Sequence, residues 1–201
     1  MPLRAVIFDL GNVLVFHDNA LLFQKLGERA GLSGDEVGRR LLAAPLWDAS
    51  NRGLLDADAI RREVSGALGV QFGKEDFTDL WSCHFTFNAP VFPMVEALAG
   101  KVKRLVLSNT NVAHRDWLLP RMPFLQAFDA LVFSCDVGLI KPEPAIYRAA
   151  LDRAGVAPEE AAFFDDLPAY AEAASRLGIH GRVFRDAKDF PAQLADLGVR
   201  I

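Results

Sequence analysis

Four polar stretches of this chain share one trait: each follows a short apolar run. Asp9 closes RAVIFD, and Ser108-Asn109 follow VKRLVL. Lys141 lies on the segment that follows Ala130–Phe133, and Asp165-Asp166 close AAFFDD. One carboxylate in such a place is unremarkable, because Asp often opens turns. Together the four supply a carboxylate nucleophile, hydroxyl and amide donors, a cation and a carboxylate pair. That set suits phosphoryl transfer, where catalysis is mainly positioning and neutralisation of charge on three equatorial oxygens. Carboxylates and a backbone carbonyl are hard oxygen ligands of the kind Mg²⁺ takes. Asp9 and Asp166 beside an anionic substrate would repel it, so this chemistry requires a cation.

These residues need elements that bring them together. Arg4–Asp9 reads as a buried strand feeding the loop Leu10-Gly11-Asn12. From about Asp18 to Pro93 the pattern turns helical. Leu22, Phe23, Leu26 and Ala30 recur at helical spacing before Gly31, and Ser33 to Glu36 form a capping box. Further helices are expected over Ala57–Leu68 and Lys74–Cys83, with no strand in this stretch. Strands are then expected at Val102–Leu107, Ala130–Phe133, Ala161–Phe164 and Gly181–Phe184. Helices are expected at Pro142–Ala154, Ala169–Leu177 and Asp189–Leu197. Strands alternating with helices imply an α/β fold with a parallel sheet covered on both faces. Ligands of such sheets bind beyond the carboxyl ends of the strands, where the four polar stretches lie.

FDLGNVLV, LSNTN, LIKPEPAIY and FFDD occur in that order. They resemble the four motifs of the haloacid dehalogenase-like (HAD) hydrolases, over essentially the whole chain. DLGNV followed by LSNTN resembles the bacterial α-D-glucose-1-phosphate phosphatase subgroup and the N-terminal phosphatase domain of epoxide hydrolases. The resemblance implies a Rossmann-like core from residues 1–17 and 94–201, with residues 18–93 inserted as a helical cap of the C1 type. It implies a Mg²⁺-dependent phosphatase acting on a small phosphorylated metabolite, with sugar phosphates first in view. Asp9 would attack phosphorus and become phosphorylated. Ser108 and Asn109 would bond the phosphoryl oxygens, and Lys141 would neutralise Asp9 and the phosphate. Gly11, through its carbonyl, and Asp166 would hold the metal with Asp9, while Asp165 would act on a metal-bound water or behind the ligands. Arg52, in an Asn-Arg-Gly turn like the subgroup's cap loop, would reach substrate with a planar cation.

Two positions depart from the family pattern. Gly11 stands where the family has an Asp that protonates the leaving oxygen, and Asp18 or His17 are candidates to replace it. Tyr170 stands where an Asn or Asp often anchors the last loop, which bears on support of the metal. Two other readings follow: a metal-independent 2-haloacid dehalogenase of the same fold, or a non-catalytic HAD-like binding or regulatory module. The Asp165-Asp166 pair argues against the dehalogenase, because unscreened carboxylates would repel a carboxylate substrate.

The four histidines form no HExxH pair, which argues against a His-based zinc site. His114 resembles a position of the same phosphatase subgroup and has two readings, a residue that points at the site or, more commonly, a surface histidine; Trp47, Trp81, His84 and Phe85 read as cap core. Cys83 and Cys135 make no CxxC and read as reduced thiols. A net charge of −4 offers no footprint for nucleic acid. No apolar run reaches membrane-spanning length, and no signal sequence precedes the first strand, so a cytoplasmic protein is expected. At 201 residues and 51% hydrophobic, the chain can bury a core unaided. Oligomeric state stays open.

Overall fold

The computed structural model describes residues 2–43 and 45–201, so Met1 and Ala44, inside the ranges expected for core and insert, lie outside the description. Strand β1 (Ala5–Phe8) is followed by β2 (Val15–His17) and five helices: α1 (Asn19–Ala30), α2 (Gly34–Ala43), α3 (Leu46–Asn51), α4 (Ala57–Leu68) and α5 (Lys74–Ser82). Then come β3 (Phe85–Phe87), α6 (Phe92–Glu96), β4 (Lys103–Ser108) and α7 (Val112–Arg121). The chain continues through β5 (Ala130–Phe133), α8 (Ser134–Val137), α9 (Pro144–Ala154), β6 (Ala161–Asp165), α10 (Pro168–Ser175), β7 (His180–Val183) and α11 (Phe190–Ala195).

The main sheet has the order β5-β4-β1-β6-β7. Every neighbouring pair in it is parallel. β1 is central: the chain builds outward to β4 and β5 on one side, then crosses to β6 and β7 on the other. The carboxyl ends of β4, β1 and β6 therefore flank the point where the winding direction reverses, the usual ligand position of such sheets. Each strand alternates its side chains between two faces. Val6 and Phe8 join Val106, Phe164, Leu118 and Phe190 in one apolar core. Ala5 and Ile7 join Leu105, Phe163, Ile146 and Tyr147 in a second. A third core, around Trp81, is drawn mainly from α1 to α5 and includes Ala113 of α7.

The helix boundaries follow local chemistry. Asp18 caps α1 by accepting from the amides of Ala20 and Leu21, and Gly31 ends it in a left-handed conformation. Asp56 and Gly69 do the same for α4, whose span is the expected one. α9 starts at Pro144 rather than Pro142, because Glu143 before that proline is extended.

Among the differences from the expectation, two bear on the insert. α3 is an unanticipated short helix, opened without any side-chain cap. Within the stretch expected to hold no strand, Phe85–Phe87 pairs antiparallel with Val15–His17, placing His17 opposite Phe85. Three residues show no period, and their partner lies far away in sequence, so only the tertiary contact defines this strand.

Gly53, at the end of α3, has φ +70°, and a Cβ there would lie 2.0 Å from the carbonyl oxygen of Cys135. Gly66, inside α4, has nothing within 4 Å of its Cβ position. In chemical denaturation Gly53→Ala should cost about 2 kcal/mol or more, through backbone strain and the clash. Gly66→Ala should stabilise by about 0.5–1 kcal/mol.

Candidate functional site

The site is built around a buried cation. Lys141 Nζ lies 2.8 Å from Asp9 Oδ1 and 2.7 Å from Asp165 Oδ2. The ammonium also sits over the rings of Tyr170 (5.0 Å) and Phe163 (5.4 Å). Asp9 follows β1 and Asp165 ends β6, which are adjacent strands, so sheet register alone sets the two carboxylates side by side. Lys141 arrives from the loop before α9, and that loop is held by Asn109. The Asn109 amide accepts from the Lys141 backbone N–H at 2.8 Å and donates to its carbonyl at 3.0 Å.

Burial pushes the Asp9 carboxyl up from its ordinary range, and the Lys141 charge opposes this incompletely. Burial and the neighbouring Asp9 push Asp165 up to about 6, again against Lys141. Burial works to lower Lys141, but the two carboxylates outweigh it, so its pKa rises. The ammonium therefore stays charged and divides its field between two acids.

Asp9 uses its two oxygens differently. Oδ1 accepts from the Leu10 amide at 2.7 Å and takes Lys141. Oδ2 has no hydrogen-bond partner among the described residues. Asp166 is half-buried and accepts from Asn12 Nδ2 at 2.9 Å. Asn12 holds a left-handed backbone, φ 53°, which Asn tolerates better than most residues. Asp9, Asp165 and Asp166 each offer an oxygen within 4.8 Å of the others, which is a donor set of hard ligands. Three carboxylates face one ammonium here, so this donor set fits a divalent cation on charge as well as on ligand type.

These groups border a cavity of about 420 Å³. Asp9, Gly11, Ser108, Asn109, Lys141 and Asp166 all line it; Asp165 and Arg52 do not. Asp165 is instead locked by Lys141 and by the amide of Leu167 at 2.9 Å. Arg52 turns to Glu143 (2.6 Å) and Asp48 (3.0 Å), and its neighbours Asn51 and Trp47 reach the cavity. Asp18 is used up as the cap of α1. The Asn109 side chain, expected on phosphoryl oxygens, braces Lys141.

Of the two readings of His114, the surface one fails: it is buried and lines the cavity. Its ring stacks on Trp81 at 5.5 Å, and its two nitrogens meet the Asn111 amide and the Trp81 carbonyl. His84, beside it, is also buried. Trp47, His84 and Phe85 are cavity wall as well as packing. Asn12 was not singled out; its place in the loop after β1, between a strand end and a short ribbon, was the available signal. Tyr170 contributes a ring face over Lys141, and its carbonyl accepts from Tyr147 Oη at 3.0 Å.

Two predictions follow from these contacts. Lys141→Met leaves two buried carboxylates without their cation and should cost about 3–5 kcal/mol in urea denaturation; adding Asp165→Asn should recover part of the loss. Burial lowers His84 from 6.5 to about 4. Between these values the unfolded chain binds the extra proton, so stability falls as pH drops through this window and levels off below it. His84→Leu, close in volume, should flatten that acid limb in a series of thermal melts, since Nδ1 has no hydrogen-bond partner to lose.

The chain is similar over most of its length to proteins of known family. It is 44% identical over 200 residues to bifunctional epoxide hydrolase 2 of Mus musculus, covering 89% of this chain and 36% of that protein. It thus spans about a third of the length of the epoxide hydrolases it matches. It is 29% identical over 186 residues to the phosphorylated carbohydrates phosphatase of Thermotoga maritima, covering 88% of this chain and 82% of that one. Its fold matches a HAD family enzyme of Bacteroides thetaiotaomicron, solved with magnesium and inorganic phosphate. The TM-score is 0.86 at 21% identity, over 95% of this chain and 98% of that one. The family model matches residues 3–178, and the chain belongs to the haloacid dehalogenase-like hydrolases.

Proposed function

We propose that this hydrolase is a Mg²⁺-dependent phosphatase that cleaves a small phosphate monoester through an aspartyl-phosphate on Asp9. The observation that carries the reading is the asymmetry of the Asp9 carboxylate: Oδ1 is fixed by Leu10 and Lys141, and Oδ2 is left without a partner at the cavity. A nucleophile needs one oxygen held and one oxygen free to attack.

Asp9, Asp166 and the Gly11 carbonyl would hold Mg²⁺, with Asp165 behind them; the ion would neutralise charge on the phosphoryl oxygens. Ser108, buried at the end of β4, would donate to a phosphoryl oxygen. Lys141 would keep Asp9 ionised and offset the charge of the bound phosphate. Attack by Oδ2 forms the P–O bond to Asp9 as the ester P–O bond breaks, and water then cleaves the acyl phosphate to return the carboxylate.

Residues 18–93 would act as a cap that shapes the substrate. Lys141 is the only Lys or Arg lining the cavity among the described residues, and it belongs to the phosphate end. The remaining wall, with Val15, Trp47, His84 and Phe85, offers no second Lys or Arg among the described residues. This favours a substrate with a single phosphate and an uncharged remainder. Sugar phosphates, the class named by the Thermotoga relative, fit that description. A cytoplasmic enzyme would meet them as metabolites.

Asp9→Asn should abolish turnover of phosphate esters in Mg²⁺, while the variant keeps its fold by circular dichroism. EDTA should abolish the wild-type activity, and added Mg²⁺ should restore it. Wild-type rates in Asp9→Asn, or full activity in EDTA, would contradict the proposal.

A further inference from the structure

Breaking an ester P–O bond leaves charge on the departing oxygen, and a positioned proton donor typically speeds this about 10²–10⁴-fold. The phosphatase reading therefore raises the question of which cavity group gives that proton. Gly11, two residues beyond Asp9, has no side chain to do so. The space that a side chain there would enter is already filled. A Cβ on Gly11 would lie 3.2 Å from His17 Cδ2 and 3.4 Å from His17 Nε2, and 3.9 Å from Asp9 Oδ2. The imidazole and the unpartnered oxygen of Asp9 thus both border the position a side chain at residue 11 would enter, and both residues line the same cavity.

The other candidates lining the cavity are committed elsewhere. Both nitrogens of His114 are bonded, to Asn111 and Trp81. His84 Nδ1 is sealed from solvent, and burial holds that ring neutral. Lys141 is clamped between Asp9 and Asp165 on the Oδ1 side, with the Tyr170 ring over it. Asp166 belongs to the acidic cluster. His17 alone is both exposed and at the Oδ2 side. It is also fixed in place. β2 pairs it with Phe85, its backbone N–H reaches Asn12 Oδ1 at 3.4 Å, and Asn12 Nδ2 lies 3.3 Å from Nε2.

Building on the phosphatase reading, we infer that His17 is the catalytic acid and base of this enzyme, in the place that residue 11 leaves empty. As Oδ2 bonds to phosphorus and the ester bond breaks, the imidazolium N–H passes its proton to the leaving oxygen, which departs as the alcohol. Asn12 then donates to the neutral ring. In the second half, the ring takes a proton from the water that attacks phosphorus. The Asp9–phosphorus bond breaks, Asp9 recovers its carboxylate and the imidazolium is restored.

The test compares two esters of similar size in Mg²⁺: phenyl phosphate, with a basic leaving group, and p-nitrophenyl phosphate, which departs without help. His17→Ala and His17→Gln should each lower kcat/KM for phenyl phosphate about 10²-fold or more. The p-nitrophenyl ester should lose far less. His17→Gln can keep a contact with Asn12 but carries no transferable proton, so it separates chemistry from packing, and thermal melts confirm that both variants fold. Equal losses on both esters, or no loss on phenyl phosphate, overturn the assignment. Asp9→Asn, run alongside, should be inactive on both. If it is not, the aspartyl-phosphate reading fails whatever His17 does.

Discussion

The rest of the site depends on a buried ammonium shared by two carboxylates. Lys141, Asp9 and Asp165 come from three separate elements and meet almost out of contact with solvent. Removing charge from water is costly, and the cost is offset only when every charge finds close partners. Here the geometry is enforced from outside the triad. Parallel register fixes the two acids, and Asn109 fixes the backbone of the lysine. The Asn109 side chain thus braces the lysine at the same cavity wall that Ser108 lines.

The centre of the fold was legible in the sequence for a simple reason. Apolar runs ending in polar residues define strands by composition, and strand ends of a parallel sheet share one edge. Ala130–Phe133 therefore matches its expected bounds, and Ala57–Leu68 matches as a helix set off by Asp56 and Gly69. Features made by contact between distant segments were not legible. The β2–β3 ribbon joins Val15–His17 to Phe85–Phe87, and neither segment is long enough to carry a period. Arg52 shows the same limit at the level of a side chain. Its type and turn suggested an anion ligand, but Glu143, far off in sequence, supplies the anion from within the chain. His114 kept a surface reading because helix position alone does not reveal that Trp81 and Asn111 enclose it.

The ribbon links the two halves of the cavity. It leaves the loop after β1 at Val15 and is held by Phe85–Phe87, the segment that follows α5. His84 and Phe85, at the end of that segment, pack on His114 at 5.3 Å and 4.9 Å, and His114 packs on Trp81. An aromatic series thus runs from the third core to the residue opposite Gly11. A change in the packing of α5 would shift the ring of His17 more readily than it would shift Asp9, which is anchored in the sheet.

That difference in anchoring has an energetic side. Asp9, Asp165 and Asp166 set three negative charges against one positive charge in a space screened poorly by water. Burial first, and repulsion between the carboxylates second, push the Asp9 and Asp165 carboxyls up, so the protein without ligand carries both as lost stability. Anything that neutralises the cluster binds the folded chain and not the unfolded one, so binding free energy becomes folding free energy. The same electrostatics then orders the events at the site. On the proposed reading, an anionic ester would be repelled by the two uncompensated negative charges of the cluster, and a divalent cation would cancel them and let Lys141 attract it. On that reading the acidic cluster would be a gate as well as a ligand set. Lys141 would keep Asp9 ionised while the uncompensated carboxylates hold anions off until a cation arrives, a constraint of charge alone that would apply to whichever ester binds.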